Sequence, residues 1–295
     1  MDDLDKLVRA VLTSQKYRNV CRDAIASIGS RELSKRRNLR EAIKATKKKL
    51  HQIGGAYLAR GVRYAEWLDE LRFAAASGDR DRFRGICIEI MEHHSSTRER
   101  LDILDQFYTQ TLAELPHIGS VLDLACGLNP LAIAWMPLAD DARYYAYDIY
   151  TDMVDFIKEF MTIAHVAGEA RACDITRAPP GHRADLALIL KSLPCIEQLD
   201  PSASLRLLDS IDADHLLISF PVRSLGGRDK QMGRSYETRF RALVHDKPWE
   251  VQRFEFATEL AFLVRKQRQK PVLLERTGFS RHREETTCCR PDLRT

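Results

Sequence analysis

Three short stretches of this chain hold residue types suited to binding an adenosine-containing cofactor. The first, Val121-Leu122-Asp123-Leu124-Ala125-Cys126-Gly127-Leu128-Asn129-Pro130, reads as a buried strand running into a turn of small residues. Ala125 and Gly127 in that turn let a ligand approach the backbone closely, as glycines do in nucleotide-binding turns. The second is Asp148, which follows Gly127 by 21 residues at the end of the next apolar run. A carboxylate there can accept hydrogen bonds from ribose hydroxyls. The third is Cys173-Asp174-Ile175, again an acid at a strand end, suited to accept from an adenine amine. Each acid alone serves equally well as a helix cap. Three such features in register, at the carboxyl edge of a sheet where ligands bind, are harder to explain by capping.

A fourth stretch is His94-Ser95-Ser96-Thr97-Arg98-Glu99-Arg100. Ser96 with Glu99 three residues later has the form of a capping box, worth about 1 kcal/mol as a helix start. Capping leaves two arginines unexplained. A helix N-terminus carrying Arg98 and Arg100 is a favourable place for the carboxylate of a methionine moiety, held by backbone donors and a bidentate ion pair.

The elements that must position these residues follow from the hydrophobic pattern. Ser120–Leu124, Arg143–Tyr147, Ala184–Leu190 and His215–Phe220 are short apolar runs separated by helical stretches, which predicts an α/β fold with a mostly parallel sheet covered on both faces. Glu250–Phe256 and Glu259–Val264 are separated only by Ala257-Thr258, too little chain for a crossover helix, so they are expected to pair as an antiparallel hairpin. A parallel sheet closed by such a hairpin, seven strands in all, resembles the Rossmann-like architecture of class I methyltransferases.

Ahead of the sheet, Leu4, Leu7, Val8, Val11 and Leu12 build one apolar stripe at helical spacing. The segments around 32–50 and 62–75 repeat the habit, and Ser77-Gly78-Asp79 is the expected break. Residues 1–78 therefore read as a helical N-terminal extension, 79–266 as the cofactor-binding domain and 267–295 as a loose C-terminal tail. Within the extension, residues 31–49 hold nine basic residues, Arg31, Lys35, Arg36, Arg37, Arg40, Lys44, Lys47, Lys48 and Lys49, against Glu32 and Glu41. Such a run is either a solvated helix face or a surface for nucleic-acid phosphates, where clustered cations gain affinity by releasing counterions.

The bulk properties exclude several classes. The 295 residues are 44% hydrophobic and 30% charged, an ordinary globular composition. With 46 Lys+Arg against 42 Asp+Glu the chain is only mildly basic, so the case for a nucleic-acid partner rests on where the charges lie. The start, Met1-Asp2-Asp3-Leu4-Asp5, is acidic and has no apolar signal core, which argues against secretion and for the cytoplasm. No run of about 18 apolar residues predicts a membrane span. The seven cysteines show no metal-ligand spacing, so no metal is expected.

Five segments together resemble a known family, the aminoglycoside-resistance 16S rRNA guanine-N7 methyltransferases of the Arm type. They are His51-Gln52-Ile53-Gly54-Gly55-Ala56-Tyr57, Ser95–Leu101, Val121–Ala132, Lys191-Ser192-Leu193-Pro194-Cys195-Ile196-Glu197-Gln198, and Ser219–Arg228. The resemblance implies methyl transfer from S-adenosylmethionine to N7 of guanosine 1405 (conventional rRNA coordinate) of 16S rRNA in the assembled 30S subunit, with S-adenosylhomocysteine as product. It also implies resistance to 4,6-disubstituted deoxystreptamines such as kanamycin and gentamicin. No obligate protein partner is implied. Carried over residue by residue, the cofactor would touch His94, Ser95, Ser96, Arg100, Ala125, Asp148, Asp174, Ile175, Leu190 and Gln198, with Tyr57 closing over it. Arg98, Gly127 and Ile149 are counted in the same site. The RNA-facing set comprises Lys35, Arg36, Arg37, Lys47, Lys48, Lys49, Lys191, Arg223, Arg228, Lys230 and Arg234, the last four lying beyond the strand that ends at Phe220.

Guanine N7 is an exposed acceptor with an unshared lone pair, so it can attack a sulfonium methyl without losing a proton. No general base is then needed, and aligning the three reacting atoms can lower the barrier by about 7–11 kcal/mol. The aromatic Asn/Asp-Pro-Pro motif of exocyclic-amine methyltransferases does not follow the Ala184–Leu190 run. Two other readings stand beside this one: a cytosine-C5 methyltransferase with Cys195 as nucleophile, and a non-catalytic ribosome-binding protein on a methyltransferase fold. Ile196 beside Cys195 offers no polar partner to activate the thiol.

Overall fold

A computed structural model describes residues 2–55, 62–115, 117–222 and 231–267. Among the described residues the chain opens with the helices α1 (Asp3–Leu12), α2 (Arg22–Lys35), α3 (Leu39–Leu50), α4 (Tyr64–Ser77) and α5 (Arg80–Met91). Their boundaries have local causes. Asp2 caps α1 by accepting from Asp5 N at 2.7 Å, Asn38 caps α3 through Glu41 N at 2.9 Å, and Asp79 caps α5 through Arg82 N at 2.9 Å. Gly78 ends α4 in the left-handed conformation, φ 69°. The basic stretch expected as one helical segment around 32–50 is in fact broken, because Arg36 is extended and Asn38 begins a new helix. One turn of π-helix, His51–Gly55, follows α3.

A four-residue turn of helix, α6 (Ser95–Arg98), and α7 (Leu104–Thr111) lead into the sheet. The sheet elements then follow as β1 (Ser120–Leu124), β2 (Arg143–Asp148), α8 (Thr151–Ile163), β3 (Ala167–Ala172), β4 (Ala184–Leu190), α9 (Leu193–Leu199), α10 (Ala203–Ser210), β5 (Ala213–Pro221), α11 (Gln231–Val244), β6 (Trp249–Glu255) and β7 (Glu259–Lys266). Strand order is β3-β2-β1-β4-β5-β7-β6. β1 to β5 pair in parallel, whereas β7 runs antiparallel to both β5 and β6, so the hairpin inserts its second strand against β5.

Alternation along the strands feeds two apolar layers. Leu186 and Leu188 of β4 with Leu217 of β5 face the layer built with α1, α2, α4, α5, α7 and α8. Ala187, Ile189, Leu216 and Ile218 face the layer built with α10 and α11. The N-terminal helices thus share a core with one sheet face: Tyr64 stacks on Phe156 of α8 at 4.9 Å between ring centres, and Trp67 meets the same ring edge-on. No helix among the described residues is long and apolar enough to cross a membrane.

Candidate cofactor site

Strand order reverses between β1 and its neighbours β2 and β4, and the cleft lies at the carboxyl ends of these strands, where open α/β sheets bind ligands. Its empty space amounts to about 910 Å³, open solvent at the mouth included. Eight of the expected cofactor residues line it: His94, Ser96, Ala125, Asp148, Ile149, Asp174, Ile175 and Leu190.

The turn after β1 is built on left-handed backbone, with Ala125 at φ 54° and Gly127 at φ 53°. Gly127 is required twice over, since a Cβ there would also come within 2.8 Å of the His94 ring. Gly127 N donates to Asp148 Oδ2 at 3.0 Å, while Ile149 N and Tyr150 N donate to Oδ1 at 2.7 and 3.3 Å. Burial pushes the Asp148 carboxyl up, and these three donors partly oppose that. A carboxylate offers about four acceptor positions, so Asp148 can still receive a ligand hydroxyl. Asp174 Oδ1 accepts from Thr176 N at 3.0 Å and from the Thr176 hydroxyl at 2.6 Å. That fixes the loop after β3. The walls between the acids are apolar: Ala24 and Ile28 from α2, Ile53 from the π-turn, Ile149, Met153 and Ile175. Acids at two strand ends and apolar walls between them suit an adenosine moiety.

His94, Ser96 and Lys191 line the same cleft, the His94 ring lying beside Gly127. Burial pulls the His94 imidazole down to about 4, reinforced by Arg100, Lys191 and Arg98, so the ring is neutral at pH 7. Behind it lies a buried ion cluster. Arg100 Nη2 and Nε donate to Glu259 at 2.7 and 3.1 Å, and Nη1 donates to Asn129 Oδ1 at 2.9 Å. Lys191 Nζ contacts Glu99 at 2.9 Å and Glu259 at 3.2 Å. Asn129 continues the network to Asp123, which also accepts from the Tyr144 hydroxyl at 2.6 Å.

Several expected residues lie elsewhere. Arg100 is 1% exposed and engaged by Glu259 and Asn129 rather than lining the cleft. Lys191 is 5% exposed, so its charge faces two carboxylates in the cleft wall, not an outer RNA surface. Ser95 is buried, Arg98 exposed, and Gln198 sits exposed near the end of α9, outside the lining. The capping box is not formed: α6 begins at Ser95 and Glu99 is held by Lys191. Tyr57, Arg223, Arg228 and Lys230 lie outside the described residues. Sequence reasoning missed Ala24, Ile28 and Ile53 as lining residues; the one signal for the last was its place in the His51–Tyr57 segment that carries the resemblance.

Residues 13–263 match the ribosomal RNA methyltransferase (FmrO) family. The chain belongs to this family. A 16S rRNA (guanine(1405)-N(7))-methyltransferase of Micromonospora rosea is 33% identical over 267 residues, 90% of this chain and 97% of the relative. The enzyme of the same name from Frankia casuarinae is 35% identical over 266 residues, 89% of this chain and 94% of the relative. Among solved structures, the 16S rRNA methyltransferase RmtF in complex with S-adenosyl-L-homocysteine is 30% identical, covers 90% of this chain and 100% of its own, and superposes with a TM-score of 0.75. As a member of the FmrO family the chain is an S-adenosylmethionine-dependent methyltransferase acting on ribosomal RNA. The readings of Cys195 as a cytosine nucleophile and of a non-catalytic module find no support among these relatives.

Proposed function

We propose that this methyltransferase modifies N7 of guanosine 1405 of 16S rRNA in the assembled 30S subunit, in the cytoplasm, and so confers resistance to 4,6-disubstituted deoxystreptamine aminoglycosides. The observation that carries this reading is the identity of 33–35% with guanine(1405)-N7 enzymes over about nine-tenths of the chain. The S-adenosylmethionine cofactor supplies the methyl group as a sulfonium. Asp148 would hold the ribose hydroxyls, Asp174 the adenine amine, and His94, Ser96 and Lys191 would face the methionine end. The neutral His94 ring adds no repulsion toward a cationic cofactor. Arg100 and Glu259 would act from behind the wall by fixing Lys191.

No side chain is assigned as a general base, because N7 has no proton to lose; the protein's part is alignment. The helical extension through Gly78 would dock on the ribosome through Lys35, Arg36, Arg37, Lys47, Lys48 and Lys49, with Arg223, Arg228, Lys230 and Arg234 beside the target base. Of these, Lys35, Arg37 and Lys48 are exposed and carry no ion pair among the described residues. Arg36 is paired with Glu32 at 2.9 Å, and Lys49 Nζ donates to Gln198 O at 2.6 Å. The test is to incubate purified small subunits with protein and cofactor, reduce with borohydride and treat with aniline, which cleaves the RNA at 7-methylguanosine. A single scission at position 1405 is expected. Cleavage elsewhere, or none with naked or assembled rRNA, would refute the assignment.

A further inference from the structure

The five residues Asn19–Asp23, which end the α1–α2 connection and open α2, touch the loops of both cleft acids. Asn19 O accepts from Thr151 N at 2.7 Å and from the Thr151 hydroxyl at 3.1 Å, and Asn19 Nδ2 donates to Asp152 Oδ2 at 2.6 Å. Val20 forms an isolated antiparallel bridge with Tyr150, and Cys21 N donates to Ile149 O at 2.8 Å. These bonds seize the turn whose own N–H groups hold Asp148. Two residues later, Asp23 Oδ2 accepts from the backbone N–H of Asp174 at 2.9 Å. The Asp148 and Asp174 loops are thereby joined through a segment that belongs to the helical extension, not to the sheet. Ala24 and Ile28, on the first turns of α2, then line the cleft itself.

We propose that Asn19–Asp23 is a component of the cofactor site, a clamp that sets the separation of the ribose and adenine acids, with Asn19 and Asp23 as positioning residues. The inference rests on the reading of Asp148 and Asp174 as cofactor acids. The sheet fixes Asp148 and Asp174 only at the strand ends, Asp148↔Ala172 being the last paired position of β2 and β3. Beyond it the Asp174 loop has Cys173 N on Asp148 O and then turns on its own Thr176 bonds. Asp23 supplies the fixed external partner of that turn. The Asp23 side chain is well suited to the task. Burial raises its carboxyl, but hydrogen bonds from the Cys21 thiol and from the N–H groups of Asp174, Asp23 and Ala24 outweigh this and hold it below the usual carboxylate range, so it is an anion facing an N–H donor at neutral pH. A helical extension serving only to grip RNA would have no reason to hydrogen-bond these two loops.

The test compares wild type with Asp23→Ala, Asp23→Asn and the double variant Asn19→Ala/Asp23→Ala, by calorimetric titration of the free protein with S-adenosylmethionine and by kinetics on small subunits. Asp23→Ala is expected to weaken cofactor affinity about five-fold and the double variant at least ten-fold. KM for the cofactor should rise in step, with kcat at saturating cofactor and KM for the subunit unchanged. Asp23→Asn, which keeps an acceptor oxygen, should recover most of the affinity. Wild-type affinity in Asp23→Ala and in the double variant, with Asp174→Ala defective, would overturn the clamp and leave the cofactor acids standing. Wild-type affinity in Asp174→Ala as well would remove the reading on which the clamp rests. A thermal transition lowered in the double variant with affinity intact would make the segment a structural tie only, and that too overturns the proposal. Asp23→Ala alone decides the matter if the double variant does not fold.

Discussion

Arg100 and Glu259 form a bidentate ion pair at 1% and 0% exposure, joining the loop before α7 to the first residue of β7 across 159 residues of chain. Two charges so buried are tolerated only because each is matched; Glu259 also meets Lys191, and Asn129 takes another Arg100 donor. Glu259→Gln would leave the Arg100 and Lys191 cations against a neutral amide. Breaking a buried pair costs about 3–5 kcal/mol, and urea unfolding should show a loss of that order. A loss below about 1 kcal/mol would mean that the cluster relaxes or admits solvent.

Gly127 and Ala125 share a left-handed backbone, yet they should answer oppositely to a methyl group. Left-handed φ costs an L-residue roughly 1–2 kcal/mol, so Ala125→Gly should fold at least as stably as wild type. Gly127→Ala pays that cost and also drives a Cβ into the His94 ring at 2.8 Å. Its cofactor affinity is expected to fall ten-fold or more in calorimetry. Equal affinities for the two variants would show that His94 can swing aside.

Asp148→Ala removes the acceptor of three backbone N–H groups as well as the group offered to the ribose. Cofactor binding should weaken by about 1.5–3 kcal/mol, the range for hydrogen bonds to a charged partner. If titration gives the wild-type affinity with the fold intact, Asp148 only staples its own turn.

The strands nearest the site were the most legible part of the sequence. β1 and β4 fall on the apolar runs Ser120–Leu124 and Ala184–Leu190, because both are central strands covered on two faces, where the acids Asp123 and Asp185 are hydrogen-bonded. β3, Ala167-Gly168-Glu169-Ala170-Arg171-Ala172, gave no such signal: it is an edge strand, its first three residues are exposed, and its register is set by pairing with β2. Asp148 was legible because it closes the apolar run Arg143–Tyr147, whereas Asp174 was read from the Cys173-Asp174-Ile175 stretch without its strand. The Arg100–Glu259 pair and the wall formed by α2 were not legible, since each depends on contacts between distant parts of the chain. The burial of Lys191 was illegible for the same reason, since Glu99 and Glu259, which meet its charge, come from distant parts of the chain.

Asp123 and His94 should shape stability in opposite senses over the same pH window. Burial raises the Asp123 carboxyl from 3.8 to about 6, so its contribution is complete below the unfolded value and is lost as pH rises through about 6. His94 is lowered from 6.5 to about 4, so its contribution is present above 6.5 and lost as pH falls toward 4. Each amounts to at most about 3 kcal/mol, and in wild type they largely offset. Asp123→Asn keeps acceptors for Tyr144 and Asn129 but cannot ionise, so its urea midpoint should fall more steeply than wild type between pH 6.5 and 4.5. Parallel midpoint curves for the two proteins would contradict this account.

The basic run through the end of α2, its link to α3 and α3 itself yields the prediction that bears on the ribosome. Lys35, Arg37 and Lys48 are exposed, and none is engaged by an acid among the described residues, unlike Arg36, whose partner is Glu32. A phosphate contact releases condensed counterions, so log affinity falls linearly with log salt, with a slope of about −0.7 to −0.9 per phosphate neutralised. Replacing Lys35, Arg37 and Lys48 together by glutamine should weaken binding to small subunits and flatten that slope by about two to three. None of the three lines the cleft, so affinity for S-adenosylmethionine should not change. Arg36→Gln serves as the comparison, since its charge is already committed to Glu32 and its loss should alter the slope less. An unaltered slope in the triple variant would return this run to a solvated helix face and move the docking surface to another part of the chain.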